Sequence, residues 1–272
     1  MYIHMKYATY VIMSLGMCLF FSCKKESLMR YERQANIYFD LTAADRDSIV
    51  YTFAYDMTKA VDTVFLPVKL MGYRDEKSRS FQAYIEKDSS TAQAEIHYDK
   101  LKPDYPLMEG AGQTFLPIII HNVKDLETRA VSLIIKLQES PDFGIENKDL
   151  IRARIILSAQ LEQPQWWSMW LDNYSRVKHQ LFLLVTEQRT LSMQGLDAPK
   201  NLYFANLLLM MLNDPFKWIK DHPEKDYKLE SNDGGQTYLF YHVDNPNRTI
   251  LLRKNTGSGK YFFIDETGKE VR

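Results

Sequence analysis

The residue with the clearest chemistry is Cys23, which follows Ser22 at the end of an apolar run and precedes two lysines. A cysteine in this position is typical of a bacterial lipoprotein signal, in which the thiol is acylated with fatty acids and cleavage makes it the first residue. Lys6 supplies the positive charge expected near the start of such a signal. We therefore predict a signal peptide over residues 1–22, a lipid-modified Cys23 and a polar tether over residues 23–35.

Two other interpretations fit an apolar N-terminus: a secretory signal cleaved without lipidation, and a single membrane-spanning helix. The run from Tyr10 to Phe21 has twelve residues and is interrupted by Ser14 and Gly16, whereas a spanning helix needs about 20 apolar residues. Simple secretion favours a small residue three positions before the cut, and this sequence has Phe20 there. Lipidation is therefore favoured over both.

The charge balance bears on which partners the mature chain can bind. Removing residues 1–22 leaves 33 basic and 35 acidic side chains of the original 34 and 35, a formal charge of about −2. A chain without surplus positive charge is poorly suited to a phosphate backbone, so we expect no nucleic-acid binding. Cys18 would leave with the signal and Cys23 would carry lipid, which excludes cysteine nucleophiles and thiolate metal sites.

Local catalytic motifs are absent from the sequence. The glycines of Gly257-Ser258-Gly259-Lys260 resemble part of a phosphate-binding loop, but Lys254 stands where the first glycine is needed and Tyr261 where serine or threonine is needed. A dinucleotide fingerprint fails in the same segment because its third glycine would be Phe262. No GxSxG elbow occurs. We predict no catalytic residues, with a hydrolase built from distant carboxylates as the remaining enzymatic alternative.

Metal-binding patterns are also missing. HExxH and CxxC do not occur, and neither His97 nor His121 has a histidine partner at ligand spacing. We expect structural or surface roles for both histidines, and neither a metal nor another cofactor.

One aromatic cluster could bind a ligand, because flat rings can stack on sugar faces. It comprises Trp166, Trp167, Trp170 and Tyr174. At about 100° per residue, these side chains fall on one broad apolar arc of a helix that begins near Pro164 and continues to Val185, with Trp170 nearer the centre of the arc than Trp167. The pattern favours a core face over an exposed stacking platform.

The chain from Asn36 to Ala159 has the pattern of a β-sandwich. Short strands are predicted at 48–55, 63–70, 79–85, 94–98, 114–121, 131–137 and 151–157, after an opening strand at Ile37. In the second of these segments Val64, Leu66 and Val68 alternate with other residues, which indicates one buried face. We predict an immunoglobulin-like antiparallel β-sandwich over residues 36–160.

Helices and hairpins are predicted for residues 161–272. The segment Leu202 to Leu212 is apolar on almost every side and should be buried, although part of its cover could come from another protein. Strands follow at 237–243, 249–253 and 261–264, with turn residues between them. The fold class is therefore mainly β, with a helical segment and a C-terminal β-hairpin region.

Several of these segments resemble a known module. Val64-Phe65-Leu66-Pro67-Val68, Leu116-Pro117-Ile118 and the stretch from Leu133 to Gly144 resemble a Calx-beta or immunoglobulin-like domain. Over residues 20–190 the chain is similar to exported Bacteroidetes lipoproteins of unknown function, often encoded beside Sus-type nutrient-uptake systems. The resemblance implies an envelope location and a non-catalytic β-module. Calx-beta members that bind calcium use acidic loops, where this chain has Glu139 and Asp142 without a dense acidic cluster.

These observations favour a non-enzymatic accessory or scaffold protein of an outer-membrane uptake system. It would be lipid-anchored in the cell envelope, at the outer membrane, on either its periplasmic or its surface face. The expected partners are the membrane, through the lipid, and outer-membrane uptake proteins. The alternatives are a lipoprotein that binds a glycan or peptide itself and, less favoured, an unrecognised hydrolase.

Overall fold

Strands with alternating apolar and polar residues build the first part of the fold. The computed structural model describes residues 34–272 and places eight strands before the first α-helix. The predicted signal peptide and Cys23 lie outside the described residues. The strands are β1 (Asn36–Phe39), β2 (Ile49–Thr52), β3 (Val61–Met71), β4 (Arg79–Ile85), β5 (Tyr105–Leu107), β6 (Gln113–His121), β7 (Val131–Gln138) and β8 (Arg152–Ser158).

The eight strands form two sheets around one hydrophobic core. The first sheet has the order β1-β3-β6, and the second has the order β2-β8-β7-β4-β5. All of these pairs are antiparallel except β2 and β8, which run parallel. Apolar residues of both sheets belong to the same core cluster. The predicted fold class is confirmed, and the parallel pair at the edge of the second sheet is the one departure from an antiparallel sandwich.

The core follows from the period-two pattern of the strands. In β3 the side chains of Val64, Leu66 and Val68 are buried, while Phe65 between them points to solvent. The neighbouring strand β6 repeats the pattern, with Leu116 and its alternate neighbours buried. Full burial of a side chain such as leucine contributes about 1.5–3 kcal/mol, so this alternation fixes which face of each sheet meets the core.

Two strand predictions differ from the structure. Residues 94–98 form a turn rather than a strand, because Glu95 adopts a left-handed conformation (φ +65°) and the His97 amide donates to the Gln93 carbonyl at 2.9 Å. A left-handed residue cannot continue an extended ladder. Strand β5, which has three residues and pairs with the first half of β4, was not predicted. Pro103, Pro106 and Gly110 give this stretch the composition of a turn.

The predicted helix from Pro164 to Val185 is two helices. They are α1 (Trp167–Trp170) and α2 (Arg176–Thr186). The chain turns at Asp172, which has φ +52°, and Ser175 then caps α2 by accepting a hydrogen bond from the Lys178 amide at 3.1 Å. The buried Lys178 amine donates to the Leu171 carbonyl at 2.6 Å and so fastens the end of α1 to α2.

The apolar segment near residue 205 forms the longest helix within residues 34–272, α3 (Ala198–Asn213), and α4 (Pro215–Asp221) follows after a single residue. Asp214 separates them: its side chain accepts from the Lys217 amide at 2.9 Å and caps α4, while Pro215 cannot continue the hydrogen-bond pattern of α3. Within residues 34–272 no helix combines the length and apolar content needed to cross a membrane.

The chain ends in a four-stranded antiparallel sheet. Its strands are β9 (Tyr227–Glu230), β10 (Thr237–His242), β11 (Ile250–Lys254) and β12 (Tyr261–Phe263), in the order β12-β11-β10-β9. The three predicted strands correspond to β10, β11 and β12, whereas β9 was not predicted. Phe240, Leu252 and Phe263 of this sheet share a second core with the helices.

A buried polar cluster joins the sandwich to this C-terminal part. The Glu127 carboxylate, in a short 3-10 helix (Lys124–Glu127), accepts hydrogen bonds from Arg248 at 2.7 Å and Gln180 at 2.9 Å. Arg248 also donates to the Asn122 side chain, whose amide reaches the Lys59 carbonyl at 2.8 Å. Residues far apart in sequence are therefore held by one connected network.

Candidate partner-binding surface

The four aromatic residues proposed for ligand stacking belong to the second core. Trp166 and Trp167 are buried, while Trp170 and Tyr174 are partly buried and pack against the same cluster. The Trp167 and Tyr174 rings meet edge to face with centroids 5.0 Å apart, and Trp166 lies 5.4 Å from Phe182. Rings that contact other rings in this way have no free face for a sugar, so the cluster does not form an exposed stacking platform.

His179 sits in the middle of this aromatic cluster. Its ring centroid lies 4.9 Å from that of Trp167, and its Nδ1 lies 3.4 Å from the Tyr174 hydroxyl. Its Nε2 is buried and has no hydrogen-bond partner among the described residues. Burial lowers the pKa of His179 to about 4, so this side chain is neutral at physiological pH.

The histidines of the sandwich are each held by an aspartate. His97 is fully buried; its Nδ1 accepts from the Gln93 amide at 2.9 Å, so Nε2 carries the hydrogen that it shares with Asp125 at 3.0 Å. Burial raises the pKa of Asp125, but hydrogen bonds from Arg129 and His97 outweigh this and bring it below its ordinary value. With both ring nitrogens engaged and no solvent contact, His97 cannot exchange a proton with a substrate.

His121 lies close by, with Nε2 at 2.8 Å from the Asp99 carboxylate. Within residues 34–272 no three histidine, cysteine or acidic side chains converge as metal ligands. At the turn that contains Glu139 and Asp142, the Asp142 carboxylate accepts a hydrogen bond from the Ser80 amide at 2.8 Å.

The carboxyl groups were the remaining candidates for catalysis. A cavity of about 410 Å³ is lined by Asp56, Glu187, Glu224, Lys225 and Tyr227, among others. The ammonium group of Lys225 binds Glu187 and holds the pKa of that carboxyl below its usual range. Throughout residues 34–272, every carboxyl group with a clear pKa shift is lowered, whereas a general acid needs a raised pKa.

One side of α3 is apolar and exposed to solvent. We call it the α3 face. Its residues recur at helical spacing, and all are exposed; they are Leu202, Tyr203, Asn206, Leu209 and Met210. Tyr203 is 58 % exposed and Met210 is 66 % exposed. The prediction that this helix is buried is therefore wrong for one of its sides.

The opposite side of α3 packs into the second core. Ala205, Leu208 and Met211 are buried in the second core, where α3 packs against α2 and β12. Near the start of the helix, the buried Asn201 amide donates to the Ser192 carbonyl at 2.7 Å. A helix that is apolar all round thus has partners on one side, and its other side presents leucine, tyrosine and methionine to solvent.

A second exposed apolar surface lies on the three-stranded sheet, and we call it the sheet platform. Phe65 is 61 % exposed and Phe115 is 55 % exposed, with ring centroids 6.3 Å apart and the rings nearly perpendicular. Their strand partners are prolines, since Phe65 is opposite Pro117 and Phe115 is opposite Pro67. The sequence contains the signal for this surface: in β3 and β6 large apolar residues also occupy the alternate positions that should face solvent.

Proline in β3, the central strand of its sheet, is tolerated because of its position. The Pro67 carbonyl accepts from the Asp40 amide at 2.9 Å, one residue beyond the end of β1. A residue's N–H and carbonyl point to the same side of a strand, so the missing N–H of Pro67 falls where β1 has already ended. The platform therefore keeps its rigid prolines without breaking the ladder.

Comparison with known families gives one match. The family described as "Domain of unknown function (DUF4843)" matches residues 31–188, more than half of the chain. The matched range contains the sandwich and the helices α1 and α2, and it ends before α3 begins. No curated protein matches the chain.

Solved structures with similar folds are distant in sequence. CBD12 from CALX1.2 is 14 % identical and covers 45 % of this chain and 43 % of its own, with a TM-score of 0.33. A putative carbohydrate binding protein from Bacteroides ovatus is 10 % identical, covering 47 % of this chain and 38 % of its own (TM-score 0.32). A Bacteroides ovatus protein of unknown function is 11 % identical, covering 81 % and 65 % (TM-score 0.37). The chain thus spans less than half the length of the first two proteins.

Proposed function

The chain belongs to the family described as domain of unknown function DUF4843, and from this premise we propose that it is a non-enzymatic accessory or scaffold lipoprotein of the cell envelope. Lipid on Cys23 would anchor it at the outer membrane, and it would work in a nutrient-uptake assembly by contact with other proteins. The observation that carries this proposal is the α3 face, a row of large apolar side chains exposed on a helix that is otherwise packed.

The composition of the α3 face favours a protein partner over the bilayer surface. Residues 201–213 contain no charged side chain, whereas helices that lie on anionic membranes carry lysine and arginine along their polar side. Methionine, tyrosine and other large apolar side chains without charges are typical of the buried centre of protein interfaces. The sheet platform, with Phe65 and Phe115, adds a second surface of the same chemistry.

The shifted carboxyl groups have lowered pKa values, so they stay ionised and are poor proton donors, which disfavours them as general acids. The anchor rests on the sequence alone: the apolar run that ends at Ser22-Cys23 and the lysines that follow it. The alternative of a lipoprotein that binds glycans through its tryptophan cluster is not favoured, because Trp166 and Trp167 are buried.

Photo-crosslinking in intact cells tests the proposal. A photoreactive amino acid at Met210 should give a discrete adduct with an outer-membrane uptake protein, because this side chain would lie in the interface. The same amino acid at Lys269, an exposed position in a C-terminal turn, is the matched control and should give no such adduct. Leu209→Asp should abolish the adduct formed from position 210 while changing the free energy of unfolding by no more than about 0.5 kcal/mol, since Leu209 is exposed.

The opposite pattern would contradict the proposal. If positions 210 and 269 give the same adducts, or if Leu209→Asp leaves the adduct unchanged, the α3 face is not the contact surface. If the adducts contain lipid instead of protein, the helix lies on the membrane.

A further inference from the structure

The solvent side of the five-stranded sheet carries positively charged side chains, unlike the two apolar surfaces. We call it the cationic face. Strand register places Tyr84 opposite Lys136 and Lys136 opposite Arg152, so these three side chains form one row across β4, β7 and β8. Arg154 lies two residues further along β8 on the same side. The next row in the other direction pairs Gln82 with Gln138.

Neither arginine of this face is hydrogen-bonded to an acidic side chain of the described residues, although the hydrogen bond from Lys136 and, to a smaller extent, the charge of Arg152 lower the pKa of the nearby Glu86 carboxyl. Among residues 34–272, neither Arg152 nor Arg154 forms a salt bridge or a side-chain hydrogen bond, and the Nε of Arg154 is buried without an acceptor. The nearby Glu86 carboxylate already binds Lys136. The Nε of Arg154 is covered by protein, so a ligand can reach only the outer nitrogens of this guanidinium, whereas Arg152 is exposed and can receive carboxylate oxygens from solvent.

A groove beside the cationic face adds to its positive charge. It has a volume of about 540 Å³, and Gln82, Tyr84 and Gln138 line its side on the sheet. Lys87, Lys100 and Lys102 are also among its lining residues, and no carboxylate is. Lys100 pairs with Glu95 at 3.5 Å, but both side chains are well exposed, so this pair is weak and readily exchanged.

The side chains on this surface match a particular ligand chemistry. Arginine binds carboxylates through two parallel hydrogen bonds, glutamine both donates and accepts, as a pair of sugar hydroxyls requires, and the Tyr84 ring is 43 % exposed. Neighbouring strands lie about 4.8 Å apart, so Tyr84 and Arg152, two strands apart, can contact different units of one extended ligand.

An extended peptide fits this face less well. Peptides that add to a sheet need a free strand edge, whereas β7 lies between β4 and β8 and is paired on both sides. Recognition at the cationic face must therefore use side chains. Nucleic acid is disfavoured because the whole chain has no surplus of positive charge.

We propose that the cationic face and its groove bind an oligosaccharide that carries carboxylates, that is, one built from uronic acids. Arg152 and Arg154 hold the carboxylates, and Tyr84 stacks against a sugar ring. Gln138 binds hydroxyl groups, and the side-chain carbonyl of Gln82, whose amide donates to Asp104 at 3.0 Å, accepts from another. This site is separate from the α3 face, so it does not depend on the proposed scaffold function.

Calorimetric titration of the full chain, purified in detergent, tests the site. The ligands are oligomers of galacturonate, mannuronate and a glucuronate-containing sugar, each beside its carboxyl-reduced neutral counterpart, and polyglutamate as a charged polymer without sugar rings. We expect at least one uronate oligomer to bind at least tenfold more tightly than its neutral counterpart. Arg152→Gln and Arg154→Gln should each weaken that binding by about tenfold, as loss of a charged hydrogen bond implies.

Two further variants separate a built site from general charge attraction. Tyr84→Ala should weaken uronate binding by about tenfold and leave polyglutamate binding unchanged. Arg46→Gln removes an exposed arginine in the turn before β2 and should change neither. The proposal is overturned if no uronate oligomer is preferred over its neutral form, if polyglutamate binds equally well, or if Arg46→Gln weakens binding as much as Arg152→Gln. Loss of the crosslinks at the α3 face would leave these results untouched.

Discussion

One residue of the second core, His179, makes the stability of the protein depend on pH, and its burial could not be predicted from the sequence. His179 is buried among Trp166, Trp167 and Phe182. No acidic side chain offsets its burial, so desolvation alone lowers its pKa from 6.5 to about 4. The neutral imidazole is therefore the form that fits the fold.

Acidification should destabilise the protein through His179. Between pH 6.5 and about 4 the unfolded chain binds a proton at this residue while the folded chain does not, so the free energy of unfolding falls as the pH falls. At 1.36 kcal/mol per pKa unit, the loss is about 3 kcal/mol and is complete near pH 4. Urea titrations at pH 7, 5.5 and 4.5 measure it.

Matched histidine variants identify the source of this dependence. His179→Gln should flatten the change in unfolding free energy between pH 6.5 and 4.5, whereas His222→Gln removes an exposed histidine and should leave it as steep as in the parent. An equal slope in the parent and in His179→Gln would show that other groups govern the acid response.

The tryptophans show what a helical arc can and cannot predict. Spacing alone places Trp170 nearer the centre of the apolar arc than Trp167, yet Trp167 is fully buried and Trp170 is only partly buried. The reason is the turn at Asp172, which ends α1 and reorients the chain before α2. A helical wheel drawn for one continuous helix therefore predicts the aromatic cluster correctly but predicts the wrong order of burial for Trp167 and Trp170.

At the scale of the elements, the main connection that could not be predicted from the sequence is the network of hydrogen bonds and ion pairs around Glu127. This carboxylate lies after β6 and meets Arg176 and Gln180 of α2, as well as Arg248, which follows β10. Burial lowers the pKa of Arg248, and the charge of Glu127 opposes that shift. The 3-10 helix that contains Glu127, the helix α2 and the segment after β10 are thus held together by buried charges that pair with one another.

Removing Glu127 should weaken the protein strongly. Glu127→Ala leaves Arg248 buried without its anion, and breaking a buried pair in this way costs about 3–5 kcal/mol. Arg248→Met should also destabilise, but the double variant Glu127→Ala/Arg248→Met should lose less than the sum of the single changes, since neither charge is then left unpaired. Urea denaturation of the four proteins gives the cycle.

An exposed pair serves as the control for this cycle. Lys217 and Asp221 are one helical turn apart on α4 and are both exposed, so Asp221→Ala should change stability little. Additive effects in the Glu127 and Arg248 cycle would show that the two side chains do not act together.

Strands and helices could be predicted from the sequence where the pattern of apolar residues extended over enough positions. β3, β4, β6, β7 and β8 follow from alternation, and α3 follows from its apolar run. β5 and β9 were missed because β5 lies among the turn residues Pro103, Pro106 and Gly110, and β9 lies in a polar stretch between Pro223 and Gly234. The exposed side of α3 was also beyond the sequence, because its residues have the same hydrophobicity as those on its buried side, and only packing decides which side is covered.

At the scale of the whole molecule, the described residues offer three surfaces of two kinds. The α3 face and the sheet platform are apolar, and the cationic face carries arginines that form no salt bridge. Apolar surfaces of this kind suit a protein partner, while arginine and tyrosine suit an acidic sugar. A scaffold that holds a ligand on one surface and a partner on another would need no chemistry of its own, and it would need a fixed place in the envelope.

Fixing that place is the role proposed for Cys23, and substitution of this residue tests it. Two or three acyl chains, at about 0.8 kcal/mol per buried CH₂ group, make membrane attachment effectively permanent, so wild-type protein should pellet with outer membranes and resist carbonate extraction. Cys23→Ala removes the acylated thiol and should move the body to the soluble periplasmic fraction.

Cys18→Ala, five residues earlier within the predicted signal, is the matched control and should leave fractionation unchanged. If Cys23→Ala protein still pellets and resists carbonate, attachment does not depend on lipid at this residue, and the envelope role must rest on another contact.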